Sequence, residues 1–261
     1  MTEAPSIEDG YRSIRTGSTW VPPGRERFSV EGPDAAPYLQ GQLSQDVLKL
    51  AVGGSAWTLL LDPTGKLGTW LRVTRTGEQS FVLDGDPGTA EVAIARLNRF
   101  KLRTAAEIVV LDPTDAGLVD ASAEVVRIES GVPKAGAELV DDVIPAELGQ
   151  WLIDASVSFT KGCYTGQELV ARVDSRGGNV PRHLRGLVIE GDVVPPVGAE
   201  IVVDPSGQAK VVGAVTSSVR SPELGPIALA FVHRTVEPPA EVVLRWDGGE
   251  ASAHVRDLPL R

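Results

Sequence analysis

The segment Ser158-Phe159-Thr160-Lys161-Gly162-Cys163-Tyr164-Thr165-Gly166-Gln167-Glu168 holds the residues best suited to chemistry, because it contains the only cysteine of the chain. Thr165, with Glu168 three residues later and the apolar run Leu169-Val170-Ala171 beyond, has the form of a capping box. That pattern predicts a helix beginning at Thr165. Cys163 then stands two residues before the cap, near unpaired backbone N–H groups and the positive end of the helix dipole, with Lys161 two residues away. Both features favour a thiolate, which can be a nucleophile, a redox sensor or a transient metal ligand. A lone cysteine is equally at home as a small buried hydrophobe. Glycines at 162 and 166 suit either a backbone that approaches a ligand or a plain tight turn.

A second feature is electrostatic. Lys161, Arg172, Arg176, Arg182 and Arg185 face only Glu168 and Asp174 over this stretch, a net +3 inside a chain of −10. It reads either as a solvated loop or as an anion site beside the cysteine, suited to a carboxylate-bearing ligand or an acidic partner protein. The acidic total disfavours general binding to nucleic-acid backbones and to anionic membrane surfaces. One cysteine excludes an internal disulfide, and His183, His233 and His254 show no metal-ligand spacing, so no resident metal is expected. These histidines sit at strand edges with no partner visible in sequence. Trp57, Trp70 and Tyr164 could stack on a flat heterocycle, although core packing is their ordinary role. Asp62, Asp84 and Asp86 lie at turns, where capping and solvation are expected.

The elements that must position these groups follow from periodicity. Residues 25–32 alternate as a strand, and Asp34 predicts a capped helix through about Asp46 that buries Leu39, Leu43 and Val47. SAWTLLLD (55–62) and LGTWLRVTRT (67–76) are two strands joined by the turn Asp62-Pro63-Thr64-Gly65-Lys66, and QSFVLDG (79–85) is another. Thr89 opens a helix with Val92, Ala95, Leu97 and Phe100 on its apolar face, and AEIVVLD (106–112) is the next strand. The order β-α-β-β-β-α-β predicts an α+β sheet domain. Residues 112–123 are turn-rich and read as a junction, VVRIESG is a strand or short helix, and residues 131–149 are an irregular connection. From Arg182 onward, short apolar segments separated by turns such as Asp204-Pro205-Ser206-Gly207 and Asp247-Gly248-Gly249 predict a small antiparallel barrel or sandwich. The excess of glycine and proline, 28 and 19 of 261 residues, agrees with many turns. No apolar run approaches the length of a membrane span and the first residues lack a signal-peptide pattern, so the cytoplasm is the expected compartment.

KGCYTGQE followed by Arg172 resembles the signature of the YgfZ-type folate-binding proteins, relatives of the glycine-cleavage T-protein (aminomethyltransferase) that act in iron–sulfur cluster assembly or repair. EGPDAAPYLQGQLSQDV (31–47), LLLDPTGKLGTWLRV (59–73), RIESGVPKAGAEL with Ile144-Pro145-Ala146-Glu147, LRGLVIEG and IALAFVHR resemble further segments, so the likeness covers nearly the whole chain. It implies a T-protein/YgfZ-like α+β fold with a small C-terminal antiparallel β-barrel, arranged around an opening that holds tetrahydrofolate in the relatives. Residues 1–112 would form the N-terminal α+β domain, 113–181 a shortened central segment carrying the motif and its helix, and 182–261 the barrel. Cys163 matches the cysteine on which the family's function depends. Lys161, Gly162, Tyr164, Gly166, Gln167 and Glu168 match the signature around it. Arg127 and Glu129 match the segment bordering the opening, and with Arg172 they are the implied folate contacts.

Two departures bear on activity. Thr69 and Trp70 stand where the T-protein has a pair of aspartates, leaving no carboxylate there for acid–base work. Only about a dozen residues join Asp112 to Val125, where the family inserts most of a second α+β unit. The resemblance therefore implies a non-enzymatic or weakly enzymatic protein that serves iron–sulfur assembly or client proteins and binds a folate-type molecule. The alternative is a tetrahydrofolate-dependent aminomethyltransferase-like one-carbon enzyme.

Overall fold

A computed structural model describes residues 24–114, 121–204 and 208–261. The turn expected at 204–207 and much of the junction expected at 112–123 fall outside these residues. The chain forms two compact units, one holding residues 24–114 and 134–179 and the other residues 121–133 and 180–261. The stretch 113–181 is thus shared between them.

The first unit is built on a five-stranded antiparallel sheet of order β2-β3-β4-β1-β5. Its strands are β1 (Glu26–Glu31), β2 (Ser55–Leu61), β3 (Leu67–Gly77), β4 (Ser80–Gly85) and β5 (Glu107–Leu111). Successive side chains of a strand point to opposite faces, and Phe28 and Val30 of β1, Leu60 of β2, Leu71 and Val73 of β3, and Phe81 and Leu83 of β4 meet in one core. Each such side chain contributes roughly 1.5–3 kcal/mol when fully buried. Helices α1 (Ala35–Gln42) and α2 (Thr89–Arg99) share that core through Ala35, Tyr38 and Leu39 and through Ala90, Ala93 and Leu97.

Three local expectations change here. Helix α1 ends at Gln42 rather than near Asp46, because Leu43 turns extended and bridges Leu60 while Val47–Lys49 form a separate 3₁₀ turn. Leu39, Leu43 and Val47 are all buried nonetheless. Asp34 does not cap α1 with its side chain; its carboxylate accepts from the Ala105 N–H at 2.8 Å. The apolar face of α2 is Ala90, Ala93 and Leu97, and Val92 and Ala95 face solvent. The Glu26 carboxylate on β1 accepts the Ala90 N–H at 2.9 Å, so the start of α2 is satisfied from a neighbouring strand.

In the second unit, VVRIE of VVRIESG is helical within α3 (Ala121–Glu129), and Ser130 and Gly131 form the turn that follows. Val125 and Val126 of α3 pack on Val219. The C-terminal strands close into an antiparallel barrel of order β10-β11-β6-β9-β8-β7. They are β6 (Arg182–Ile189), β7 (Glu200–Val203), β8 (Lys210–Ser221), β9 (Gly225–His233), β10 (Ala240–Trp246) and β11 (Gly249–Arg256). Leu187, Ile201, Val215, Ala230, Leu244 and Val255 fill its interior. The hairpin of β10 and β11 turns on Asp247-Gly248, with Trp246 opposite Gly249 and Gly248 at φ +84°, a left-handed angle that glycine adopts without strain. No helix among the described residues is long and apolar enough to cross a membrane.

Candidate functional site

The thiol-bearing segment lies in the sheet unit and runs along the exit of α1. The Ser158 N–H donates to the Ser44 carbonyl at 3.0 Å, and the Thr165 N–H donates to the Gly41 carbonyl at 3.0 Å. Between these two bonds, the Lys161 ammonium donates to the carbonyls of Gln40 (2.6 Å), Leu43 (2.6 Å) and Gln45 (3.0 Å). A helix that ends leaves carbonyls without intrahelical donors and a partial negative charge, and one lysine answers both. Lys161 also lies 5.1 Å from the ring centre of the buried Tyr164. Burial pushes the Lys161 amine down to about 8, against the upward pull of Asp46. Burial likewise pushes the Tyr164 phenol up to about 12.

Cys163 is exposed at the tip of this segment, and Gly162 beside it is exposed with nothing near the place a Cβ would take. The helix of the motif, α5, spans Gln167–Ser175 and is preceded by Gly166 at φ +84°. The predicted capping box at Thr165 therefore does not form. The Thr165 hydroxyl turns instead toward the Gly41 carbonyl at 3.4 Å, and Gln167 reaches back to accept the Tyr164 N–H at 3.2 Å. Cys163 stands three residues before the N-cap rather than two. A Cβ on Gly166 would lie 2.5 Å from the Asp62 carbonyl, and one on Gly65 would lie 2.4 Å from Leu169 Cβ. Close docking on the β2–β3 turn thus fixes where α5 begins, overriding the local cap.

That turn is itself rigid. Asp62 Oδ1 accepts from the Thr64 N–H (2.8 Å), the Thr64 hydroxyl (2.8 Å) and the Lys66 N–H (2.9 Å). Burial works against the Asp62 charge, but these donors and the Gly65 N–H outweigh it and hold the carboxyl below its ordinary value.

The sheet face opposite the core carries a second cluster, built in part from acidic residues expected at turns and aromatics expected in the core. Trp57 and Arg72 are cross-strand partners, as are Arg72 and Asp84. Buried Asp84 contacts the Arg25 guanidinium directly and accepts from Arg72 Nε at 3.0 Å, while Arg25 Nη1 reaches Asp86 at 3.2 Å. The Arg25 guanidinium lies 5.1 Å from the Trp57 ring centre, and Trp57 stacks on Trp70 at 4.2 Å. Trp70 meets the edge of Trp151 at 5.9 Å, and its Nε1–H donates to Ser156 Oγ at 2.9 Å. Trp151 and Ser156 belong to α4 (Gln150–Ser156). Trp57 and Trp70 thus stack on each other, and Arg25 lies over Trp57. Thr69 is buried, with its hydroxyl unpartnered among the described residues. The missed signal was the β-ladder: polar and aromatic residues at alternate positions of β2, β3 and β4 share one face.

Arg127 and Glu129 lie in the other unit and are buried there. Arg127 Nε and Nη2 grip Glu124 at 2.8 and 2.7 Å, Nη2 also reaches Ser217 Oγ at 2.6 Å, and Nη1 donates to the Val132 carbonyl at 2.7 Å. Glu129 accepts from the Ser221 hydroxyl at 2.5 Å. The cationic stretch divides as well. Lys161 turns inward to carbonyls, Arg182 lies over Phe231, Arg185 pairs with Asp257, and Arg172 and Arg176 are exposed. Of the histidines, His254 pairs with Glu190 at 2.9 Å and His233 with Thr235 at 2.9 Å.

An antiparallel sheet with helices on its core face, an exposed thiol on a segment bonded to the exit of α1 and a closed C-terminal barrel define the class, that of the T-protein fold. Residues 182–260 match the model of the glycine cleavage T-protein C-terminal barrel domain. The glycine cleavage system aminomethyltransferase T of Bartonella henselae superposes with a TM-score of 0.73, over 92% of this chain and 85% of that one, at 18% identity. An aminomethyltransferase of Streptomyces avermitilis is 35% identical over 78% of this chain, which spans only 51% of that relative's length. The tRNA-modifying protein YgfZ of Cronobacter sakazakii is 25% identical over 88% of this chain and 89% of its own. Over most of its length the chain is thus similar both to YgfZ proteins and to the glycine-cleavage T-protein, and it shares the T-protein fold.

Proposed function

We propose that this folate-family protein supports the assembly or repair of iron–sulfur clusters, with Cys163 as its reactive or transiently ligating thiol. The observation that carries the reading is the exposure of Cys163 at the tip of a segment fixed on both sides to the exit of α1. Clusters are ordinarily held by four thiolates. No group of three or more His, Cys, Asp or Glu side chains is gathered for a metal among the described residues. One thiol can then take a cluster only as passing cargo, with a client or assembly protein completing the ligand set. The YgfZ relatives are called tRNA-modifying proteins. A net charge of −10 favours a role for this chain in preparing clusters for such chemistry over a direct grip on RNA.

Tetrahydrofolate is the proposed small-molecule ligand and would supply one-carbon chemistry when bound. Arg72, one-third exposed with terminal nitrogens carrying no hydrogen bond among the described residues, and exposed Arg172 suit its carboxylates. Arg127 and Glu129 serve this reading as buried supports that fasten α3 to β8.

The test is complementation. In a strain lacking the native protein, Cys163→Ser is expected to lose support of iron–sulfur enzyme activity that the unaltered chain restores; undiminished activity overturns the proposal. The aminomethyltransferase reading is favoured by the 35% identity to such an enzyme. Thr69 and Trp70 supply no carboxylate, so incubation with tetrahydrofolate and an aminomethyl donor is expected to give no product.

A further inference from the structure

We infer that Lys161 is the positioning residue of Cys163, presenting the thiol by clamping its loop to the exit of α1 rather than acting on the sulfur by charge. The contacts supporting this all lie within the sheet unit. Lys161 stands two residues before Cys163 and holds the carbonyls of Gln40, Leu43 and Gln45. Thr165 stands two residues after it and holds Gly41 through its N–H. Tyr164 is buried between them. Gly162 and Cys163 are left as a short exposed arch whose two feet rest on one helix terminus.

The chemistry of the lysine favours the clamp. Three acceptors converge on three N–H donors, a match that an ammonium makes and a planar guanidinium cannot. Its charge is spent on the partial negative end of α1 and on nearby Asp46, which also pairs with Lys49 at 3.1 Å. Without the clamp, the small apolar Cys163 side chain is free to fold against the surface, and the presented conformer becomes a fraction of the population.

Cys163 is the working thiol of the function proposed above, and the value of presenting it rests on that reading. The readouts below are on the thiol itself, so complementation and presentation can fail independently. Lys161→Met and Lys161→Arg would be compared with the unaltered chain in two measurements. One is the ratio of alkylation rates for a bulky and a small uncharged maleimide. The other is the pH midpoint of thiolate formation, followed by ultraviolet absorbance. A charge-assisted hydrogen bond is of the size that shifts an equilibrium about tenfold. The ratio is therefore expected to fall roughly tenfold in both variants, with the midpoint unmoved. Lys161→Arg keeps the charge but loses the geometry, and it carries the test should Lys161→Met fail to fold. A raised midpoint in Lys161→Met with an unchanged ratio, and wild-type behaviour in Lys161→Arg, would overturn the inference in favour of a charge effect. An unchanged ratio and midpoint in both would overturn it outright.

Discussion

Asp84→Ala is expected to destabilise the sheet unit by about 3 kcal/mol, although Asp84 lies far from the thiol segment in sequence. The carboxylate is 3% exposed and contacts Arg25, itself 1% exposed, while its other oxygen holds Arg72 Nε at 3.0 Å. Removing one partner of a buried pair leaves a desolvated charge and typically costs ~3–5 kcal/mol. The lower end applies here because Arg25 keeps the Asp86 carboxylate at 3.2 Å and the carbonyl of residue 84 at 2.9 Å. For a chain of this size each kcal/mol moves the melting temperature by about 2–4 °C, so thermal unfolding should shift down by roughly 6–12 °C. Trp57 lies beside Arg25 and gives a fluorescence signal from the same unit. A double-mutant cycle sharpens the test. With Arg25→Met added, much of the loss should be recovered, because an apolar pair replaces an orphaned cation. A loss under about 1 kcal/mol, the range of an exposed ion pair, would refute the claim that this network is a buried, coupled unit.

Gly166→Ala should cost about 1–2 kcal/mol for the left-handed backbone alone, and more from the 2.5 Å approach to the Asp62 carbonyl. Gly162→Ala meets no atoms and should leave the urea midpoint unchanged; equal losses at the two positions would refute the docking of α5 on the β2–β3 turn. Lys161 sets a pH dependence whose sign follows from its folded pKa of about 8, below the ordinary 10.5. Between those values the unfolded chain binds a proton that the folded chain lacks, so stability relative to Lys161→Met should rise with pH from about 8 and be flat below. Paired denaturation curves from pH 7 to about 10.5 would show it, and a flat difference throughout would contradict it.

Sequence alone determined what depends on near neighbours. SAWTLLL and LGTWLRVTRT read as two strands because β-favouring runs flank the local turn Asp62-Pro63-Thr64-Gly65-Lys66. Asp247-Gly248-Gly249 marked the turn between β10 and β11, where Gly248 takes a positive φ that glycine adopts without strain. The run KGCYTGQE singled out the thiol segment. Tertiary structure decided what depends on which distant segments meet. The cap predicted at Thr165 lost to Gly41, 124 residues away, because a docked turn and a close glycine pair fix where α5 begins. Lys161, expected to favour a thiolate by its nearness in sequence, turns to carbonyls that only the exit of α1 provides. Arg25 and Asp84 stand 59 residues apart, and strand order brings them into one buried network. Short-range geometry is written in residue spacing; the partner of a buried charge is set by the sheet that gathers it.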